Sequence, residues 1–164
     1  MARRLPLHRR LVALWALWAL AGLATLPLAT PARANEAAAI DAMAGYLDFV
    51  DYGGGVIFAE QIPQADWPRF LVIDARDAAQ YARSHIPGAL NLEWRRVLAE
   101  RARIPKDRPV LLYCNSGSLS AQAGLALRVA GWDNVRILQG GYDEWRAKGG
   151  FEAAERAAGK PVGH

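Results

Sequence analysis

The stretch Val110-Leu111-Leu112-Tyr113-Cys114-Asn115-Ser116-Gly117-Ser118, followed by Leu119 to Ala130, decides the fold. Four consecutive apolar residues without polar alternation describe a strand buried on both faces. The small polar residues that follow shape a loop. Leu119, Ala123, Leu127 and Ala130 then share one stripe at helical spacing, and Gly131 ends it. Further strands lie on either side. Val56-Ile57-Phe58, Phe70-Leu71-Val72-Ile73, Ala89-Leu90-Asn91-Leu92 and Val135-Arg136-Ile137-Leu138 read as strands. Helices are expected over residues 35–50, with Ile40, Met43, Ala44 and Leu47 at helical spacing, and over 78–83, 93–100 and 142–148. Pro63 and Pro68 bracket a loop, and the Ala-rich tail from Glu152 reads as peripheral. Buried strands separated by helices give an α/β fold, a parallel sheet covered by helices on both faces. No internal repeat is visible.

Charge and export belong together. The chain has 164 residues and a formal net charge of +4. Five of its bases, Arg3, Arg4, Arg9, Arg10 and Arg33, fall in the first 34 residues, where there is no acid, so the remainder carries −1. The footprint of a general nucleic-acid binder is therefore missing. The first four of these arginines precede a 14-residue uncharged, mostly apolar run from Leu11 to Ala24, and Thr25, Pro27 and Pro31 follow it. This is the pattern of a secretory signal peptide. Ala32-Arg33-Ala34 places cleavage between Ala34 and Asn35. The run is short for a membrane anchor, which needs about 20 residues, and Arg9-Arg10-Leu11-Val12-Ala13 lacks most of the twin-arginine pattern, so Sec-type export to a bacterial periplasm is expected, with no stable membrane span after cleavage. The expected organisation is a signal peptide over 1–34, an N-terminal extension over 35–55, one domain over 56–149 and a tail over 150–164.

One cysteine, Cys114, excludes an intramolecular disulfide and a thiolate-rich metal cluster made by one chain. In an oxidising compartment it is a liability unless buried or used. Its position at the C-terminal end of a buried strand, on a loop that opens a helix, is where open α/β sheets bind ligands. Loop N–H groups and the helix N-terminus favour thiolate over thiol there. An inert core cysteine would continue the strand pattern, which Asn115-Ser116-Gly117-Ser118 does not. Gly53-Gly54-Gly55 is not followed by Lys-Ser/Thr and reads as a turn, not a phosphate loop.

The motifs Val72-Ile73-Asp74-Ala75-Arg76, Tyr81, His85-Ile86-Pro87-Gly88-Ala89-Leu90-Asn91, Val110 to Cys114, and Leu138-Gln139-Gly140-Gly141-Tyr142 with Trp145 run in one order over residues 56–149. This order resembles a single-domain rhodanese, and the Cys-Asn-x-Gly loop ending in Ser is similar to those of small periplasmic members. The resemblance implies a sulfurtransferase with Cys114 as nucleophile. Its thiolate takes the outer sulfur of thiosulfate or a persulfide donor and passes it to cyanide or a thiol, with no metal or organic cofactor. The substrate-binding residues are then Asn115, Ser116, Gly117, Ser118, Leu119 and Ser120, with Asp74 and Arg76 at the pocket border.

One departure stands out. Many family members carry an Arg in this loop, whereas Ser118 and Leu119 occupy those positions. A missing charged hydrogen bond is worth roughly 1.5–3 kcal/mol, which predicts a high KM for thiosulfate. Arg76 is the nearest candidate to replace that cation, and it equally suits an ion pair with Asp74. A non-turnover sulfur carrier or redox sensor is the alternative function. A cysteine phosphatase would need an Arg at the loop end, where Ser120 stands. His85 suits a proton shuttle or a buried structural imidazole. Trp94, Tyr142 and Trp145 read as core, and the basic group from Arg95 to Arg108 reads as a solvated face or a docking patch for an acidic partner.

Overall fold

A computed structural model of the protein describes residues 31–159. The apolar run of the expected signal peptide lies outside the described residues. Among the described residues no helix is long and apolar enough to cross a membrane. The chain divides into two compact units, Met1–Ala39 and Ile40–His164. The described part of the first is helical, with its side chains exposed from Ala32 onward.

Helix α1 spans Pro31–Phe49 and stops before the turn at residues 52–55. Five strands then make one sheet: β1 (Val56–Ile57), β2 (Leu71–Asp74), β3 (Leu90–Asn91), β4 (Val110–Tyr113) and β5 (Val135–Leu138), in the order β1-β5-β4-β2-β3. Every pairing is parallel, with Ile73 opposite Leu112 and Leu112 opposite Ile137 at the centre. The connecting helices are α2 (Ala78–Arg83), α3 (Ser118–Val129), α4 (Gly141–Ala147) and, near the C-terminus, α5 (Ala153–Ala157).

Strand alternation sorts the core into two layers. Val72, Leu111, Tyr113 and Leu138 face one layer with Ile62, Trp67, Ile86, Tyr142 and Trp145. Ile73, Val110, Leu112 and Val135 face the other, with Val97, Ala123 and Leu127. Burial on both faces is why the runs at β2 and β4 read as unbroken apolar stretches. All four residues of β4 are buried, so the loop after it begins from the buried centre of the sheet.

Local chemistry sets the element ends. Asp77 caps α2 by accepting from the Gln80 N–H at 2.8 Å. Gly131, at φ +88°, closes α3 in the left-handed region that an L side chain avoids.

Three expectations need correction. Residues 93–100 do not form an α-helix. They contain one 3₁₀ turn at Trp94–Arg96, and a second follows at Arg101–Arg103. Only Val97 is buried in that stretch, so no apolar stripe exists to hold a longer helix. The segment between the two prolines is structured as a 3₁₀ helix over Gln64–Arg69, whose Trp67 is buried edge-on to Trp145 and Phe151. The tail is not merely peripheral. Ala153 is buried, and Glu155 accepts from the Gln64 N–H at 3.1 Å.

Candidate active site

The active-site loop is built where β4 ends and α3 begins. Gly117 precedes α3 with φ +100°, a left-handed conformation that turns the loop back over the strand end. Its N–H then donates to the Cys114 Sγ at 3.2 Å. Ser120, fully buried, places its hydroxyl 3.6 Å from the same sulfur and 3.0 Å from the Gly117 carbonyl. Its single proton serves one acceptor at a time.

The net effect on the thiol is decided by opposing forces. Burial pushes it up; the Ser120 N–H and hydroxyl and the N–H groups of Leu119 and Gly117 outweigh burial and hold it below the ordinary thiol value. An inert cysteine in apolar surroundings shifts the other way. Cys114 is 2% exposed, so the sulfur sits at the floor of the loop, while Ser116, Ser118 and Leu119 stand exposed at its rim. The Ser116 and Ser118 hydroxyls are 3.1 Å apart. No basic side chain belongs to the loop.

A second element fixes the loop from below. The Tyr142 and Asp143 N–H groups, in the first turn of α4, donate to the Cys114 and Asn115 carbonyls at 2.8 and 3.1 Å. Gly141 makes this approach feasible. A Cβ there would lie 2.4 Å from the Cys114 carbonyl oxygen and 2.5 Å from that of Asn115. The sequence marks Gly140-Gly141 only as a turn, and its role as the loop's support emerges from the structure.

Asp74 and Arg76 form the ion pair, the second of the two roles considered for them. The Asp74 carboxylate is fully buried and receives the Arg76 Nε at 2.9 Å and Nη2 at 2.6 Å. This hydrogen bonding raises the guanidinium further above its ordinary value. The Tyr113 hydroxyl donates to the same carboxylate at 2.8 Å and accepts from the Ile86 N–H at 3.0 Å. Burial above all keeps that phenol neutral, its pKa pushed well above the ordinary range. Arg76 is 5% exposed and also donates to the Ser84 carbonyl. It reaches the loop through Nη1, which donates to Asn115 Oδ1 at 3.2 Å, and Asn115 Nδ2 donates to Gln80 Oε1 at 2.6 Å. The structure thus brings Arg76 to the back of the loop as a clamp on Asn115, with no open guanidinium facing the rim. Sequence alone does not single out Gln80, because one polar side chain on a short helix carries no signal of its own.

The remaining candidates lie in the framework. The His85 ring stacks on Tyr81 with centroids 4.0 Å apart, and its Nδ1 is 2.9 Å from the Tyr81 carbonyl, which matches a structural imidazole. Tyr142 and Trp145 are core, and Trp94 packs against it. Arg95, Arg96 and Arg103 are each paired with Glu93 or Glu100. Among the described residues no group of three or more His, Cys, Asp or Glu side chains is arranged to hold a metal ion.

Comparison with known proteins agrees with this architecture. A model of the rhodanese-like domain matches residues 58–148. A sulfurtransferase of Allochromatium vinosum is 39% identical over 85 residues, covering 52% of this chain and 79% of that protein. The thiosulfate sulfurtransferase GlpE of Pseudomonas putida is 35% identical over 88 residues, covering 54% and 80%. The crystal structure of the Alr3790 protein from Anabaena sp. superposes with a TM-score of 0.53 at 26% identity, over 63% of this chain and 89% of that one. A rhodanese-related protein from Thermoplasma volcanium shares the fold, with a TM-score of 0.54 at 21% identity over 58% and 93%. With the five-stranded parallel sheet, the loop between β4 and α3, and more than half its length matched, the chain belongs to the rhodanese-like domain family.

Proposed function

We propose that this rhodanese-type sulfurtransferase works through a persulfide on Cys114. The thiolate attacks the outer sulfur of thiosulfate, a Cys114–sulfur bond forms, the donor's S–S bond breaks, and sulfite leaves with that electron pair. The persulfide anion then gives its terminal sulfur to cyanide or a thiol, and the thiolate returns. The observation that carries this reading is the placement of the Gly117 N–H at 3.2 Å and the Ser120 hydroxyl at 3.6 Å from one sulfur at the start of α3. The same donors stabilise the thiolate before transfer and the persulfide anion after it.

The cation-free loop rim favours a persulfide donor over thiosulfate. Arg76 is committed to Asp74 and Asn115, so a thiosulfate dianion meets loop dipoles and hydroxyls alone. Weak binding of thiosulfate with intact sulfur transfer from an organic persulfide is the expected pattern. Asn115 to Ser120 form the donor site in this reading, with Asp74 and Arg76 as positioning residues behind it. Steady-state assays with thiosulfate and with glutathione persulfide, beside Cys114→Ser, test the proposal. Turnover with either donor that vanishes in the variant supports it; stoichiometric loading without turnover would assign the protein to the carrier alternative.

Export to the periplasm completes the proposal and is supported by the basic, apolar and small-residue order of residues 3–34. A mature N-terminus at Asn35 in the envelope fraction of an expressing bacterium is the expected result.

A further inference from the structure

A second feature lies away from Cys114, at the far end of α3. Arg128, two helical turns or about 12 Å along that helix from Ser120, is 9% exposed. Its Nε and Nη1 are sealed from solvent with no hydrogen-bond partner among the described residues. An unpaired buried cation costs several kcal/mol unless an anion meets it. The helix C-terminus is favourable for a positive charge, but no carbonyl there satisfies these two nitrogens.

The surroundings are shaped around the guanidinium. Its Cζ lies 5.3 Å from the centre of the Tyr46 ring on α1. On the other side it presses against Gly55, where a Cβ would come within 1.7 Å of Nη1. The glycine run that failed as a phosphate loop therefore has a use: Gly55 leaves room for this cation. The remaining, exposed edge of Arg128 lines a cavity of about 320 Å³ together with Tyr46, Phe49, Val50 and Val129. That volume falls in the range of small-molecule sites. Phe49 is 91% exposed at its edge, an apolar surface that an occupant would cover. Asp133, with an exposed side chain, lines the cavity too and disfavours a dianion.

We propose that the cavity between the end of α1 and the end of α3 binds a small monocarboxylate with an apolar body, the carboxylate pairing with Arg128 and the body lying against Phe49, Val50 and Val129. One positive charge, one nearby acid and the apolar side chains of Phe49, Val50 and Val129 select that class. The residues that precede the sheet thereby acquire a role, as the outer wall of a second binding site.

Isothermal titration of the purified full chain with sodium benzoate tests this. Saturable binding is expected, weakened about tenfold or more in Arg128→Met by loss of the charged hydrogen bond and blocked in Ala42→Trp, which fills the cavity from α1. Arg128→Met should also melt no lower than wild type without ligand, because it removes an unpaired buried charge; a substantially lower melting temperature would reveal a native partner and overturn the proposal. Sulfate binding as tightly as benzoate, equal benzoate binding by wild type and Arg128→Met, or no saturable binding would each overturn it as well. A peptide with a free C-terminal Phe carboxylate that outcompetes benzoate, while its amide does not, would support the site and name a chain terminus as the source. Failure of the peptide to compete, with benzoate bound, would support it and name a free acid.

Discussion

At Cys114 burial and hydrogen bonding act in opposite directions, and the donors win. Because the thiolate is the reacting species, the rate of alkylation by iodoacetamide should stay high at pH values where an ordinary thiol is mostly protonated. Ser120→Ala removes one donor and moves that pH profile upward, with the rate at high pH little changed. The same shift enters stability. The folded value lies below the unfolded value near 9.0, so the thiolate's contribution is complete above the unfolded value and is lost as pH falls through the folded one. Wild type should therefore gain stability relative to Cys114→Ser as pH rises toward 9.0, measured by urea unfolding at stepped pH. The rim offers the complementary test. Leu119 is 37% exposed, and Leu119→Arg supplies the charge the loop lacks. It should lower the KM for thiosulfate by about 10–100-fold, the equivalent of one charged hydrogen bond. An unchanged KM would show that a loop cation does not limit this donor.

The elements around the loop differ in how much they reveal of themselves in sequence. β2, β4 and β5 announce themselves because each is buried on two faces, and α2 because Asp77 caps it. The 3₁₀ turns at Trp94–Arg96 and Arg101–Arg103 do not, since a single buried residue, Val97, sets no period. Gly141 is visible as a turn glycine, but its reason lies in residues far off in the chain. Gly141→Ala drives a methyl into the carbonyls of Cys114 and Asn115, so it should abolish most activity and lower stability by at least about 1–3 kcal/mol. Gly117→Ala separates strain from collision. Its Cβ would meet nothing closer than 3.6 Å, leaving only the cost of the left-handed backbone, about 1–2 kcal/mol. Arg76 changes meaning most. Sequence leaves open an anion-binding arginine, whereas the structure buries it against Asp74. Arg76→Ala should cost about 3–5 kcal/mol, because it strands a buried carboxylate. Chemical denaturation reads that loss directly, and a stable Arg76→Ala protein with a raised KM for thiosulfate alone would restore the donor-binding role.

Over the whole molecule, the layered α/β arrangement follows from short, mostly apolar runs, and the site follows from the one cysteine placed at the end of the longest uninterrupted buried one, β4. The packing of the C-terminal tail does not follow, because Trp67, Trp145 and Phe151 are separated by up to 84 positions and no local period links them. Phe151→Ala opens this aromatic cluster and should destabilise the fold by about 1–3 kcal/mol, less than a fully buried Phe, while sulfur transfer per folded molecule stays unchanged. The net charge of −1 beyond residue 34 gives an anionic donor no long-range attraction, so affinity rests on the loop itself. The central claim is that Cys114 carries the transferred sulfur. Mass spectrometry of the intact protein and its Cys114 peptide, after incubation with thiosulfate or glutathione persulfide, measures this directly. The account predicts one added sulfur atom on Cys114, removed by cyanide with release of thiocyanate and absent from Cys114→Ser; no adduct with either donor, or an adduct that persists in Cys114→Ser, would contradict it.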